Sequence, residues 1–139
     1  MSVGLRIILR RSRKVSPEII ERFSSLPVAN VSDSMARMSA GGANLRPMHA
    51  GGGLAGPALT VKTRPGDNLM LHKALDLAEA GDVIVVDAGG DLTNSLMGEL
   101  MLAHAETKRL GGIVIHGAVR DVAYIRSQSL PVFAAGVTH

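Results

Sequence analysis

The stretch GELMLAHAETKRLGGIVIHGAVRD, residues 98–121, predicts a helix, a tight turn and a buried strand in succession. The helix should run from about residue 97 to 110, where the glycines at 111–112 end it. Residues 113–115 form a consecutive apolar run, which is typical of a strand covered on both faces. Arg120-Asp121 follows on the loop after this strand. The stretch therefore combines a helix start with a charged pair, two features that bind small anions.

Helices and strands alternate on both sides of this stretch. Hydrophobic patterns with Gly and Pro boundaries predict a strand at 58–63, a helix at 68–80, a buried strand at 82–87, a helix at 121–129 and a strand at 131–134. The short connections predict an α/β domain whose β-α-β-α-β core forms a parallel sheet. Ligands of such sheets bind at the carboxyl ends of the strands.

The N-terminal part of the chain divides into a basic leader, residues 1–15, and the start of the domain, residues 16–139. The leader carries no acid and five of the fifteen basic residues: Arg6, Arg10, Arg11, Arg13 and Lys14. We interpret it as an extra basic strand or a frayed tail, with a targeting segment as the alternative.

Two short helices are predicted to follow the leader. Pro17 after a serine marks the start of a helix that ends near residue 24. Asn30 or Ser32 can cap a second helix that passes through Asp33 and ends near Met38. Asp33 is a candidate ligand, but an acid in a first turn more commonly complements the helix dipole.

Composition limits the classes of function. The 139 residues are 46% hydrophobic with 2% aromatic residues, so a single domain should bury a core of aliphatic side chains. The net charge of +3 comes without a basic face carrying aromatic residues, so we expect no direct nucleic-acid binding. No run is long enough to span a membrane. The absence of cysteine fits a reducing compartment, and we expect a cytoplasmic protein.

A glycine motif at residues 51–56 matches the dinucleotide fingerprint G-x-G-x-x-G by its letters only. That fingerprint must follow a strand and open a helix, whereas Pro57 and a predicted strand follow here. We therefore reject a dinucleotide site.

Four residues are candidates for anion and cation binding. Gly98 lets a carboxylate or phosphate approach the free N–H groups of a helix start, unless it only packs against a neighbouring strand. Arg120 can grip a carboxylate in two places, and Asp121 can bind a hard cation through oxygen. The alternatives are a surface charge for Arg120 and a helix cap for Asp121. Glu99 either takes part in the site or compensates the helix dipole.

Three segments together carry a resemblance to one family: GELM at 98–101, GGIVIHGAVRD at 111–121 and PVFA at 131–134. Over roughly residues 26–138 the chain resembles the family of the regulator of ribonuclease E activity A (RraA). That family includes 4-hydroxy-4-methyl-2-oxoglutarate (HMG) aldolases and oxaloacetate decarboxylases, and many members carry an older label as demethylmenaquinone methyltransferases.

The resemblance implies an α/β domain of the swivelling β/β/α type, assembled as a homotrimer or a pair of trimers with sites near subunit interfaces. Four backbone positions and one side chain would bind the pyruvoyl part of the substrate: Gly98, Glu99, Leu100, Met101 and Arg120. Asp121 would hold a divalent cation, Mg²⁺ or Mn²⁺, and Glu99 would orient metal-bound water. The implied catalytic residues are therefore Arg120, Asp121 and Glu99.

The leading functional prediction is a metal-dependent lyase that cleaves a C–C bond in a 2-oxo acid and releases pyruvate. A cation chelated by the substrate stabilises the enolate that forms, so no lysine imine is needed. The alternative is a non-catalytic regulator that binds a ribonuclease or helicase, and a methyltransferase is the weakest prediction. Aldolases of the family supply a distal acid from a tail beyond the position of His139. The resemblance thus implies a truncated or shortened member, in which decarboxylation survives more easily than aldol cleavage.

Overall fold

A mixed sheet runs through the part of the chain that the computed structural model describes, residues 7–39 and 41–139. The strands there are β1 (Arg46–Pro47), β2 (Ala58–Lys62), β3 (Val83–Asp87), β4 (Ser95–Met97), β5 (Gly112–Val119) and β6 (Val132–Val137). Their order is β1-β6-β5-β3-β2, and β4 pairs with β5 outside this row. β1 is antiparallel to β6, and the other pairings are parallel.

Helices connect the parallel strands as the alternating pattern predicts. The described helices are α1 (Pro17–Ser24), α2 (Val28–Ser34), α3 (Leu69–Leu77), α4 (Glu99–Thr107) and α5 (Val122–Ser127). α3 joins β2 to β3, α4 joins β4 to β5, and α5 joins β5 to β6. The predicted α/β class and its β-α-β-α-β core are confirmed. No described helix is both long and apolar enough to cross a membrane.

The hydrophobic core joins the sheet to α3 and α4 in one cluster. Its fully buried members include Ile84, Ile113 and Ile115 from the strands and Leu71, Leu75 and Leu102 from the helices. Burying one such side chain contributes about 1.5–3 kcal/mol relative to its exposure. This burial holds the strands in register, and their carboxyl ends therefore meet at one edge.

The second face of the sheet is less covered than its apolar composition predicts. Val85 and Val114 are half-buried at positions of β3 and β5 that alternate with fully buried residues. The prediction that strands β3 and β5 are covered on both faces is therefore wrong at these positions.

Strands β4, β5 and β6 differ from the prediction because pairing continues beyond the aliphatic runs. Residues 95–97 form β4 beside the end of β5, so α4 begins at Glu99 rather than near residue 97. β5 continues through two small residues to Val119, and β6 continues to Val137. Small residues have little β propensity of their own, so only pairing with neighbours reveals these extensions.

The N-terminal helices and β1 also differ from the prediction. α1 has the predicted bounds, but α2 begins at Val28, directly after Pro27, rather than at a cap by Asn30 or Ser32. Asp33 consequently lies in the last turn of α2 and forms an ion pair with Arg37 at 2.7 Å, not a first-turn contact. β1 was not predicted, since two residues leave no periodic signal.

The described part of the leader is held by charge rather than by strand pairing. Residues 7–16 form no regular element, so they are not the expected basic strand, and the part of the leader at 1–6 lies outside the described residues. Arg11 Nη2 donates to Asp82 Oδ2 at 3.0 Å, and Lys14 Nζ lies 2.6 Å from Glu79 Oε2. Lys14 Nζ also lies 3.2 Å from Asp82 Oδ1, close enough for an ion pair but outside the angle of a hydrogen bond.

The Asp82 carboxylate at the centre of this contact is fully buried. Burial by itself raises the pKa of the Asp82 carboxyl. The hydrogen bonds from Arg11 and from the Glu79 N–H, together with the Lys14 ammonium, outweigh burial and hold that pKa below its ordinary value. Asp82 therefore stays ionised and anchors the leader to the turn between α3 and β3.

Candidate functional site

The candidate site forms where strands β4 and β5 end side by side. β4 leads directly into α4, and β5 leads into Arg120. The Arg120 N–H donates to Met97 O at 2.9 Å, so the residue after β5 is bound to the end of β4. On the other side, the Thr138 N–H donates to Val119 O at 3.0 Å. These bonds bring residues more than twenty positions apart in the chain to the start of α4.

Asp121 is held in an uncommon backbone conformation. Its φ of 57° and ψ of 39° lie in the left-handed region, which non-glycine residues rarely adopt. Its carbonyl accepts a bond from the Ile125 N–H at 3.1 Å, as a helix cap does. Its side chain, however, makes no capping bond to α5. The cap alternative is therefore correct for the Asp121 backbone and wrong for its carboxylate.

The Asp121 carboxylate instead reaches the start of α4. Oδ2 accepts a hydrogen bond from the Glu99 N–H at 2.9 Å. Arg120 Nε lies 3.6 Å from the same oxygen. A carboxylate at a helix N-terminus is stabilised by the free N–H groups and the positive end of the helix dipole. The contact joins the two halves of the site that the sequence predicts.

Gly98 is the residue that permits this approach. Its backbone is extended, with φ of −141° and ψ of −161°, so no special conformation requires glycine. A Cβ at position 98 would instead collide with Asp121 Oδ2 and with Arg120 Nε and Cγ. Gly98 therefore packs against the side chains of the loop that follows β5, directly after the strand.

The predicted site residues differ in how far their side chains are exposed to solvent. The side chains of Arg120 and Asp121 are 55% and 40% exposed, and Glu99 is also exposed. Leu100 is 83% exposed, whereas Met101 is buried, with its sulfur 4.0 Å from Asn68 Nδ2. Met101 thus anchors the first turn of α4 and can offer a ligand only its backbone.

Two N–H groups at the start of α4 are available to a ligand. The first helical hydrogen bond runs from the Leu102 N–H to Gly98 O at 3.1 Å, and the Glu99 N–H is taken by Asp121. Within the described residues, the N–H groups of Leu100 and Met101 have no main-chain acceptor. They are the orphan donors that an anion at a helix start can satisfy.

The donor set at this site fits a hydrated divalent cation. Among the described residues no group of three His, Cys, Asp or Glu side chains could form an all-protein metal cage. Mg²⁺, however, commonly takes only one or two carboxylates and completes its shell with water and substrate oxygens. Asp121, fixed through Oδ2, can supply one such oxygen beside the exposed Glu99.

Two features near the strand ends were not recognised from the sequence. Lys62, Asp87 and His116 are register partners on β2, β3 and β5, with Asp87 3.5 Å from Lys62 and 3.7 Å from His116. The Gly89 N–H hydrogen bond, with Lys62 and His116, lowers the pKa of Asp87 against the opposing effect of desolvation. No described contact links this row to Arg120 or Asp121.

The second feature is an open polar cavity of about 520 Å³ lined by Arg64, Pro65, Gly66, Asp67, Asn68 and Asn94. It adjoins the candidate site through Asn68, which contacts Met101. Asp67 Oδ1 accepts the Leu69 N–H at 3.1 Å at the start of α3, as the side chain of a helix cap does. The contact between Asn68 and Met101 joins residues far apart in the chain, so no local sequence pattern predicts it.

Comparisons with known proteins identify relatives of the whole domain. A family model described as RraA-like, aldolase/RraA, matches residues 28–139. A protein of Halalkalibacterium halodurans, named as a candidate HMG aldolase, is 35% identical over 121 residues. The matched region covers 87% of this chain and 58% of the relative, so the chain spans little more than half of that protein's length.

Solved structures with similar folds belong to proteins of differently described function. One is the RNA-processing inhibitor RraA from Thermus thermophilis, with a TM-score of 0.73 and 29% identity. The match covers 82% of this chain and 69% of that chain. Another is described as an S-adenosylmethionine: 2-dimethylmenaquinone methyltransferase from Geobacillus kaustophilus, with a TM-score of 0.69 and 27% identity, covering 81% of this chain and 70% of the other.

Proposed function

Because this chain belongs to the RraA-like family, we propose that it is a lyase that cleaves a C–C bond in a 2-oxo acid and releases pyruvate. HMG and oxaloacetate are the proposed substrates, and Mg²⁺ or Mn²⁺ at Asp121 is the proposed cofactor. The observation that carries the proposal is the hydrogen bond from the Glu99 N–H to Asp121. It joins a helix start, a fixed carboxylate and an arginine in one exposed site.

Substrate binding is assigned to the first turn of α4 and to Arg120. The free N–H groups of Leu100 and Met101 lie at the positive end of the helix dipole, where a carboxylate is stabilised. Arg120 Nε lies 3.6 Å from Asp121 Oδ2, and the terminal nitrogens of Arg120 are assigned to the substrate. A guanidinium can then bind the carboxylate of a 2-oxo acid in two places.

Catalysis requires stabilisation of the charge that develops when the C–C bond breaks. A divalent cation, when bound, supplies Lewis-acid stabilisation of the enolate oxygen. Asp121 would hold the cation, and the Glu99 N–H and Arg120 fix the position of the Asp121 carboxylate. The exposed Glu99 side chain orients a water that accepts the proton of the substrate hydroxyl in aldol cleavage. Decarboxylation of oxaloacetate develops the same charge and needs no such base.

The proposal is tested by pyruvate release from HMG and from oxaloacetate, with Mg²⁺ and with EDTA. Asp121→Asn keeps an oxygen that can accept the Glu99 N–H bond but removes the charge, so we expect at least about a hundredfold loss with little change in folding. Asp76→Asn, an exposed carboxylate on α3 with no ion pair among the described residues, is the matched control. EDTA-resistant turnover, or full activity in Asp121→Asn, would disprove the metal assignment.

A non-catalytic regulator is the second candidate. The exposed apolar residues of α1 and α2 favour it, because they offer a surface to a protein partner. The similarity to the Thermus RNA-processing inhibitor supports the same alternative. A ribonuclease or helicase would then be the partner, and the protein would be expected to bind it without turning over either substrate.

The remaining parts of the proposal concern assembly and location. We propose a homotrimer or a pair of trimers in the cytoplasm, with residues 1–15 as a basic leader to a domain at 16–139. A methyltransferase is the weakest candidate, because the glycine loop at 51–56 leads into β2 and not into a helix that could receive a nucleotide-like cofactor.

A further inference from the structure

A groove lies between the N-terminal segment Ile7–Arg13 and strand β2, and we call it the β2 groove. It encloses about 850 Å³. Its floor consists of the whole of β2 and one side of α3, which contributes Met70, Lys73, Ala74 and Leu77. These four positions recur at helical spacing and therefore share one face. The groove is separate from the candidate active site.

Among residues 7–39 and 41–139, no strand pairs with the edge of β2 that faces this groove. β2 pairs with β3 on one side and is the last strand of the row. Segment Ile7–Arg13 lines the same groove, yet no main-chain hydrogen bond between it and β2 occurs in the described part of the chain. An open edge presents N–H and C=O groups that another extended chain can satisfy.

The charged residues of the β2 groove are all cations: Arg10, Arg11, Arg13, Lys62 and Lys73. Arg11 is paired with Asp82, and Lys62 lies 3.5 Å from Asp87. Over residues 7–39 and 41–139, the other three cations form no ion pair within 4.0 Å. The lining thus carries positive charge that nothing in the described chain neutralises.

The outer wall of the groove is anchored but leaves its apolar side chains open. Arg11 and Lys14 bind the buried Asp82 and the exposed Glu79, which holds the segment beside β2. Ile7, Ile8 and Leu9 are nevertheless 62%, 55% and 84% exposed. An occupant with alternating apolar and acidic side chains would cover these residues and pair with the free cations.

We propose that the β2 groove binds an extended acidic peptide segment of a partner protein, which adds to the sheet as a strand beside β2. The open strand edge favours a peptide over other anions, because only a main chain supplies both donors and acceptors along a strand. Five residues of β2 offer about 16 Å of edge, at roughly 3.3 Å per residue. The inference does not depend on the proposed lyase activity.

The test is fluorescence anisotropy with a labelled peptide in which Glu and Val alternate. We expect micromolar binding that weakens as salt is added, and no comparable binding of the matched peptide with Lys in place of Glu. A third peptide, N-methylated at alternate amides along the pairing edge, should bind at least about tenfold more weakly. Lys73→Glu and Arg13→Glu should each weaken binding roughly fivefold. Arg22→Glu, the same charge change on an exposed residue of α1, should not.

Several results would overturn the proposal. Equal binding of the acidic and basic peptides would exclude charge recognition, and equal binding of the N-methylated peptide would exclude strand addition. Failure of the acidic peptide to bind would exclude the occupant altogether. Self-association of the protein that Lys73→Glu abolishes, measured by sedimentation without peptide, would assign the groove to a second copy of this chain.

Discussion

The backbone of Asp121 caps helix α5, whereas its side chain caps helix α4. Its carbonyl accepts the first bond of α5, while its carboxylate accepts the N–H of the first residue of α4. The left-handed conformation directs the side chain away from its own helix and costs about 1–3 kcal/mol at a non-glycine residue. The hydrogen bonds around Asp121 maintain this strained conformation. Strained backbone of this kind is concentrated at functional sites, so it supports a functional role for Asp121.

Gly98→Ala tests the close approach at this residue. The new Cβ would overlap Asp121 Oδ2 and Arg120 Nε, so both side chains must shift. We expect a loss of pyruvate release of about a hundredfold, because a displacement near 1 Å suffices for that effect. Unfolding by urea should show about 1–3 kcal/mol of lost stability. Gly51→Ala, at a glycine with open space and no positive φ, is the matched control. Unchanged activity in Gly98→Ala would mean that the contact has no catalytic role.

At the level of elements, the α3–β3 turn is also the attachment point of the leader. Asp82 is the last residue of this connection before β3, and its buried carboxylate accepts bonds from the Glu79 N–H at 2.9 Å and from Arg11. A segment without regular structure is thereby fixed beside β2. The pair of Arg11 and Asp82 joins residues about seventy positions apart in the chain. Closing so long a loop costs conformational entropy, which a strong ion pair offsets.

Asp82→Asn should reduce the free energy of unfolding by about 2–3 kcal/mol at pH 7, because it leaves the Arg11 guanidinium without its charge partner. The pKa of Asp82 is lowered in the folded state, so its contribution is present above the unfolded value. That contribution declines once the pH falls below the ordinary value of an aspartate and is lost as the pH falls through the lowered pKa of folded Asp82. The stability difference between wild type and Asp82→Asn, measured by urea unfolding at several pH values, should therefore shrink in acid. A difference that stays constant from pH 7 to pH 3 would contradict this account.

For the whole molecule, one group of exposed apolar side chains among the described residues belongs to α1, α2 and the segments that flank them. No residue of either helix is buried. The exposed set includes Ile19, Phe23, Leu26, Val28, Met35 and Met38. Large exposed apolar surfaces mark protein contacts in natural proteins. In the proposed trimer a second copy of the chain covers this surface, whereas in the regulator alternative a ribonuclease or helicase covers it.

The double variant Phe23→Ser, Met35→Ser should therefore shift the protein from a trimer, or a pair of trimers, to smaller species in sedimentation velocity. Both positions are half exposed in the single chain, so the fold of the monomer should retain its secondary structure by circular dichroism. Leu100→Ser, which removes an apolar side chain that is 83% exposed at the proposed active site, is a comparison substitution outside this surface. An unchanged sedimentation coefficient in the double variant would exclude the α1–α2 surface as the interface.

Local patterns predicted most of the architecture because each depends on residues close in the chain. The apolar runs at 83–86 and 113–115 define β3 and β5, but α3 and α4 end at Leu77 and Thr107, three residues before the ends that Gly81 and Gly111 predict. β1, β4 and the extensions of β5 and β6 could not be predicted, since their residues are strands only by pairing with one another.

The sequence alone determined the α/β class, the alternation of elements and the residue types of the site: a glycine at a helix start, then an Arg-Asp pair after a buried strand. Tertiary structure decided how these residues meet. Whether Asp121 caps α5 or α4, why position 98 must be glycine and where the leader lies all depend on contacts between distant segments. Such contacts form because β4 and β5 end side by side and because Asp82 is buried, and neither fact is encoded in a local pattern.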